Sequence, residues 1–289
     1  MGPGPGRAPR RSHRDPPVAG GRVPADHRVR RGKAVNSASL LANEIRYDQK
    51  LYWRNPQAAI FTFAFPVVLL VVFASINSGQ SSSTLNGVQF NQYFIPAILS
   101  FGVISACYSS LAIGLVFRRD AGILKRFRGT PLPPWAFMGG VIANAAIVAI
   151  IQTVLTIGIG VAAYDLSAPR HWGPFVLALA VGIATFSAIG IAATVWVPNA
   201  DAAAAVVTFP YLVVAFISGT FFPLSSSSFL TEIGRLFPVY HFIQALFAPF
   251  DPRRGGSGIA ANDLAIMGIW GVAAMVFALR RFRWEPRRS

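Results

Sequence analysis

The stretch Phe117-Arg-Arg-Asp-Ala-Gly-Ile-Leu-Lys-Arg-Phe-Arg-Gly-Thr-Pro-Leu-Pro-Pro134 decides how the rest of this chain is interpreted. It carries five basic residues and one aspartate, and it interrupts apolar sequence. No charged residue occurs from Asn55 to Phe117 or from Gly129 to Tyr164. A polar segment of this length is too short for a domain but long enough for one or two helical turns along a membrane surface. It predicts a connector between two membrane spans that faces a partner in the cytoplasm.

The composition supports a membrane protein, because 53% of the residues are hydrophobic and only 13% are charged. Several apolar runs reach the roughly 20 residues that cross a bilayer as a helix. Short alternating segments typical of a membrane barrel are absent from the sequence. We therefore expect an all-α polytopic fold with six transmembrane helices, at about residues 58–76, 93–117, 135–163, 172–197, 201–222 and 264–279.

Residues 223–250 are apolar but are broken by prolines, serines and a glycine. We interpret them as a pair of helices that enter the outer leaflet without crossing it, before the last span. The alternative is a full crossing, which would make seven spans and place the two termini on opposite sides.

Basic residues flank the spans, which is typical of the cytoplasmic side of a membrane protein. Much of the net charge of +15 lies in a tail at residues 1–36, predicted to be disordered, and in the C-terminal stretch 280–289, which ends in a short basic tail at 284–289. The transmembrane domain would then occupy residues 37–283. The distribution favours a plasma membrane protein with both termini in the cytoplasm, and not a nucleic-acid-binding protein. A second interpretation of the N-terminal tail is that translation begins near Val35.

Residues 37–54 are predicted to form an amphipathic elbow helix on the membrane surface. Its apolar arc is interrupted by Glu44 and Asp48, which lie four residues apart and repel each other. One interpretation places both carboxylates at the water boundary. The other pairs them with the basic residues of the connector, which are Arg118, Arg119, Lys125, Arg126 and Arg128.

The sequence lacks the patterns of an ATP-binding loop, a nucleophilic serine elbow and a metal site, so we expect neither an enzyme nor a cofactor bound by this chain. The lone Cys107 has no partner for an intramolecular disulfide. The interiors of the spans also lack charged residues, which coupled transporters commonly place at mid-membrane. Any energy for transport would therefore come from another subunit.

Polar and aromatic side chains within the spans are the candidates for a cargo path through the membrane. Interhelical hydrogen bonding and ordinary lipid contact are the simpler interpretations of the same residues. The candidates are Phe101, Tyr108, Asn144, Gln152, Phe209, Tyr211 and Phe216.

Four segments resemble the membrane permease subunit of type-2 ABC exporters, the group that includes daunorubicin-resistance and lipid or polysaccharide exporters. Tyr52-Trp-Arg-Asn-Pro56 is similar to the start of that family's first span, and Arg119-Asp-Ala-Gly-Ile-Leu-Lys-Arg-Phe-Arg-Gly-Thr-Pro131 to its first cytoplasmic loop. Phe221-Phe-Pro-Leu-Ser-Ser226 and Phe237-Pro-Val-Tyr-His-Phe-Ile-Gln-Ala-Leu246 resemble its last extracellular stretch. The resemblance covers about residues 37–283.

The resemblance implies a coupling helix at about 118–130 that docks on a separate ATPase subunit, which would bind ATP and magnesium. Two ATPase copies and a second permease chain, identical or homologous, would complete the transporter. Asp120 stands where the family more often has Glu, and Ile123 where it more often has Thr, which leaves the detail of the ATPase contact open. The coupling residues implied are Arg119, Asp120, Gly122, Leu124, Phe127, Thr130 and Pro131.

The sequence thus predicts an export permease for an amphiphilic drug, lipid or polyketide-like molecule. The alternative is a membrane-embedded lipid-modifying enzyme or a scaffold without transport. Neither the cargo nor the identity of the second permease follows from the sequence.

Overall fold

The computed structural model describes Gly2 and residues 37–76, 90–128, 133–164, 168–222, 229–251 and 257–282. The chain divides into two units, Met1–Val35 and Asn36–Ser289, and all the helices described below belong to the second. Apart from Gly2, the predicted tails at 1–36 and 284–289 lie outside the described residues.

The described residues fold into helices and contain no strand, which confirms the all-helical prediction for this part of the chain. The helices are α1 (Ser37–Trp53), α2 (Pro56–Ile76), α3 (Phe90–Ile104), α4 (Leu111–Asp120), α5 (Ile123–Arg128), α6 (Pro134–Tyr164), α7 (Trp172–Ala193), α8 (Ala200–Ile217), α9 (Phe229–Gly234), α10 (Pro238–Phe247) and α11 (Ala261–Arg281). A π-helical turn, Ser105–Ser110, joins α3 to α4 without a break.

Five stretches within the described residues are long and apolar enough to cross a membrane as helices. They are Gln92–Asp120, Pro134–Tyr164, Trp172–Ala193, Ala200–Ile217 and Ala261–Arg281. The apolar part of α2 that meets the same composition, Thr62–Ile76, is shorter. The five apolar helices therefore support a multi-pass membrane protein directly. The sixth span, which α2 would form, stays a prediction.

Three helices end three or more residues away from the C-terminal ends predicted for their spans. The helix that was expected to end at Phe117 continues through Arg118 and Arg119 to Asp120, because these charged side chains find partners inside the protein. Conversely, α7 ends at Ala193 and α8 at Ile217, four and five residues before the predicted ends. The residues that follow α7 and α8 are also apolar, so hydropathy does not show where these helices end.

Part of the hydrophobic core forms where α7 packs against both α10 and α11. Gly182 lies under the ring of Phe242, and a Cβ added to this glycine would come within 2.2 Å of the ring. About one turn further along α7, the Thr185 hydroxyl donates to the Met267 carbonyl of α11 at 3.1 Å. Small side chains on α7 thus permit the close helix contacts that stabilise membrane proteins.

The segment before the last span contains two short helices, α9 and α10, neither long enough to cross the roughly 30 Å hydrocarbon core. His241 of α10 is buried and links this segment to α11, since its Nδ1 lies 2.7 Å from Asp263 Oδ1. Its Nε2 lies 2.8 Å from the Arg235 backbone oxygen. Because both partners are acceptors, both ring nitrogens can donate only in the imidazolium form. The hydrogen bond to Asp263 is the main reason why the pKa of His241 is raised.

Candidate cargo cavity and coupling segment

The turn between α4 and α5 depends on Gly122, whose φ is +69°. Its N–H donates to the Arg119 carbonyl at 3.0 Å, and the Ala121 N–H donates to the Phe117 carbonyl at 3.0 Å. These bonds close the last turn of α4 in the way that a left-handed glycine commonly ends a helix. The helix α5 then starts in a new direction with Lys125 and Arg126 exposed and Leu124 fully buried.

Two of the residues that the resemblance assigned to the ATPase contact form hydrogen bonds within this chain. Arg119 is only 4% exposed and donates to the backbone oxygens of Thr194 and Val197, at 3.0 and 2.8 Å. Asp120 accepts from the Ala200 N–H at 2.5 Å and keeps 23% of its side chain exposed. These bonds hold the connector to the rest of the molecule, and the contact of these residues with an ATPase stays a prediction. Thr130, Pro131 and the side chain of Phe127 lie outside the described part of the structure.

The elbow helix α1 carries its carboxylates on its buried face. Asp48 forms two hydrogen bonds with the Arg118 guanidinium, at 2.8 and 3.2 Å, and Arg118 also lies over the Phe137 ring. The basic neighbour proposed for this helix is therefore present for Asp48. Glu44 is also buried, but within the described residues its Oε1 has no hydrogen-bond partner.

The pKa of both carboxyl groups is raised, first of all by burial. For Glu44 the negative charge of Asp48 adds to this effect, and Arg118 partly offsets it for both groups. Burial penalises the charged form of a carboxyl group. The ion pair with Arg118 offsets part of this penalty and stabilises the charged form of Asp48 at its buried site.

Part of the predicted apolar arc of α1 packs on α6, while Tyr47 and Leu51 of the same arc are 62% and 47% exposed. The contact with α6 lies at two glycines: a Cβ on Gly140 would lie 2.5 Å from Cγ of Glu44, and one on Gly139 would lie 3.1 Å from Leu41. These acids face inward because the glycines let α1 approach α6 and the Arg118 partner lies beside it.

A cavity of about 970 Å³ lies between α1, α2, the α3–α4 helix, α6 and α8. Its lining is mostly apolar, with the Asp48–Arg118 pair and Asn144 among its polar groups. Cavities that bind small molecules combine an apolar lining with a few placed polar groups. An amphiphile with one polar end would match this lining.

Four of the seven residues predicted for a cargo path come together at or beside this cavity. Phe101 and Tyr211 line it with stacked rings, 5.3 Å between centroids, and the Tyr211 hydroxyl donates to the Phe101 carbonyl at 2.9 Å. Tyr108 packs edge-on against Tyr211 at 6.0 Å. Asn144 lines the cavity and accepts a hydrogen bond from Gln49 at 3.0 Å.

The other three path residues lie elsewhere. Gln152 is fully buried between helices, where it donates to Thr156 at 3.2 Å and packs against Gly102. Phe209 and Phe216 point outward from α8 and are 69% and 55% exposed. Their helix is one of the least buried of the five apolar helices, so these rings face lipid or another protein and not the cavity.

The π-helical turn at Ser105–Ser110 is part of the cavity wall and was missed by the sequence reasoning. Ser105, Ser109 and Ser110 line the cavity there, and the buried Ser109 hydroxyl has no partner among the described residues. The turn fits against α7 only because residue 190 is glycine: a Cβ would lie 2.9 Å from the Cys107 carbonyl. π-turns are frequent at functional sites. The run of serines in an otherwise apolar span was the available signal.

The fold and this cavity define the protein as a polytopic α-helical membrane protein. Among the described residues there is no cluster of three or more His, Cys, Asp or Glu that could hold a metal ion. The family model of the ABC-2 type transporter matches residues 42–250, well over half of the chain, and the chain belongs to that family. It is thus the membrane domain of an ABC transporter, which implies an ABC ATPase partner in general. No curated protein matches the chain.

Proposed function

We propose that this chain is the permease subunit of an ATP-driven exporter whose cargo is an amphiphilic drug, lipid or polyketide-like molecule. The observation that carries the proposal is the cavity of about 970 Å³, whose mostly apolar lining includes a buried ion pair. The apolar part of the cargo would contact Phe65, Phe101 and Tyr211, which line one part of the cavity. Its polar part would lie toward Asp48 and Arg118.

The ATPase would dock at α5, whose Lys125 and Arg126 are exposed. Proposed on the same basis are two ATPase copies, which bind ATP and magnesium, and a second permease chain. The exposed rings of Phe209 and Phe216 on α8 offer an apolar face for that second chain.

The topology proposed with this function has six spans, counting α2, and both termini in the cytoplasm at the plasma membrane. The elbow helix α1 and the connector α5 would then share the cytoplasmic side, which agrees with the direct contact between Asp48 and Arg118. The helices α9 and α10 would enter the opposite leaflet without crossing. Cysteines placed at the exposed Arg126 and Trp172 should react with impermeant reagents from opposite sides of the membrane.

The test of the permease function is purification of the full-length chain from its native membranes in mild detergent. We expect a nucleotide-binding subunit to co-purify and to hydrolyse ATP at a rate that depends on the permease. Proteoliposomes with the complex should also move a fluorescent phospholipid between leaflets only with ATP. A chain that purifies without any ATPase, and is active toward lipid without ATP, would support the lipid-modifying alternative instead.

A further inference from the structure

Two consecutive residues of opposite charge, Arg119 and Asp120, hold the end of α4 to two other helix ends. The Arg119 guanidinium donates to the backbone oxygens of Thr194, Val197 and Pro198, at 3.0, 2.8 and 3.3 Å. These oxygens belong to the turn that follows α7. The Asp120 carboxylate accepts from the N–H of Ala200, the first residue of α8, at 2.5 Å. We call this pair the α4 clamp.

The signs of the two charges match the ends that they contact. The positive Arg119 lies at the C-terminal end of α7 and the negative Asp120 at the N-terminal end of α8, where the helix dipoles favour them. Hydrogen bonds to a charged group contribute more than neutral ones, and Arg119 is only 4% exposed, so water screens them little. Exchanging the two residues would reverse both matches without changing the composition.

The clamp joins the connector to the cavity wall. On one side Gly122 and α5 follow Asp120 after a single residue. On the other side α8 begins at Ala200 and contributes Ala204, Thr208 and Tyr211 to the cavity lining. Ile123 of α5 lines the cavity directly, whereas a displacement of α5 reaches the α8 wall of the cavity through one short run of backbone and two charged side chains.

We propose that Arg119 and Asp120 are positioning residues that make α5, the α7–α8 turn and α8 move as one body. Movement of the ATPase on binding nucleotide would then change the shape of the cavity. This inference rests on the proposed function, because it assumes that an ATPase acts at α5. A purely structural role would affect stability alone. Transmission adds a second effect, on how the cavity responds to nucleotide.

The experiment uses a cysteine at Ala204, inside the cavity, as a reporter in the permease–ATPase complex. The natural Cys107 is fully buried, so its background reaction with a thiol reagent is low. With the intact clamp we expect the maleimide labelling rate at residue 204 to change roughly fivefold between the nucleotide-free and the ATP-vanadate-trapped complex. In Asp120→Ala and in Arg119→Gln we expect a change of less than about twofold, compared at equal amounts of bound ATPase.

The matched control is Asp201→Asn, which removes an exposed charge from the same helix end without touching α4, and it should keep the full response. If a clamp variant does not fold, Arg119→Lys and Asp120→Asn provide a graded series with an intermediate response. An unchanged response in all clamp variants overturns the inference and leaves the permease function standing. Absence of any associated ATPase from the unmutated complex overturns the proposed function, and this inference with it.

Discussion

A carboxylate with 1% of its side chain exposed needs compensation for the water it has lost, and Asp48 obtains it from Arg118. Asp48→Asn removes the charge and leaves the guanidinium, 16% exposed, without its anion. Breaking a buried pair in this way costs several kcal/mol, and with Arg118 partly exposed we expect about 2 kcal/mol. Denaturation in mixed detergent micelles measures this difference in the free energy of unfolding.

The matched control for this prediction is Glu44→Gln on the same face of α1. Glu44 repels Asp48 and has an unpartnered Oε1 within the described residues. Its neutralisation should therefore be neutral or stabilising, opposite in sign to Asp48→Asn. Equal losses in the two variants would mean that the ion pair does not stabilise the protein.

Gly122 tests the turn that starts the connector. Gly122→Ala meets no atom within 4 Å, so its cost comes only from the left-handed backbone at φ +69°. That cost is about 1 kcal/mol. Gly268→Ala in α11 also meets open space, but in a helical backbone, and should stabilise by roughly 0.5 kcal/mol. If both variants change stability in the same direction, the backbone explanation is wrong.

Residue patterns could predict some of these sites and not others. The sequence predicted the apolar spans and singled out Glu44, Asp48 and Gly122, because charge and glycine stand out in an apolar chain. It could not assign Arg119 and Asp120 to the α7–α8 turn, since their partners, a carbonyl oxygen for Arg119 and an N–H for Asp120, are backbone groups more than seventy residues away. Backbone groups carry no side-chain signal.

At the scale of elements, the π-helical turn depends on a glycine of another helix. Gly190→Ala would place a Cβ 2.9 Å from the Cys107 carbonyl and 3.0 Å from that of Tyr108. Neither backbone group can move without disturbing the cavity wall, so we expect a loss of about 1 to 3 kcal/mol, as in other overpacked cores. Gly158→Ala in α6, which meets nothing within 4 Å, is the control and should not destabilise. The same denaturation experiment compares them.

The contact of α10 with α11 should depend on pH through His241. Its pKa is raised in the folded protein, so the stabilisation is fully present below the unfolded value of about 6.5 and is lost as pH rises through the higher folded value. Asp263 favours the charged form, the charge of Arg235 opposes it, and the Tyr240 ring lies edge-on beside it. The thermal midpoint in detergent should fall as pH rises from about 6.5 through the higher folded pKa of His241.

The control for the pH effect is His241→Gln, which cannot be protonated. Its thermal midpoint should be lower than that of the wild type at low pH and should vary less with pH. A pH profile that is the same in both proteins would assign the dependence to another group.

For the whole molecule, hydropathy predicted which segments form the apolar helices but not which of their faces meet. It could not distinguish Tyr211, which lines the cavity, from Phe209 and Phe216 on the same helix, which point outward. All three are aromatic residues in one uncharged run, and only the packing of α8 against α3 and α4 separates them. The composition of a span predicts that it lies in the membrane. Its contacts with neighbouring helices determine which of its faces are buried.

The cavity itself can be tested by filling it. Ala204 is exposed and lines the cavity, so Ala204→Trp adds volume there without displacing a buried side chain. Ala273→Trp, exposed on α11 and outside the cavity lining, is the matched control.

If cargo passes through this cavity, Ala204→Trp should lower ATP-dependent movement of a fluorescent phospholipid in proteoliposomes by about tenfold or more, equivalent to about 1.4 kcal/mol or more of lost binding. Association with the ATPase and the thermal midpoint should stay near the wild-type values in both variants. Unchanged transport in Ala204→Trp would move the cargo path out of this cavity, and equal losses in both variants would point to a general effect of a large aromatic side chain in the membrane.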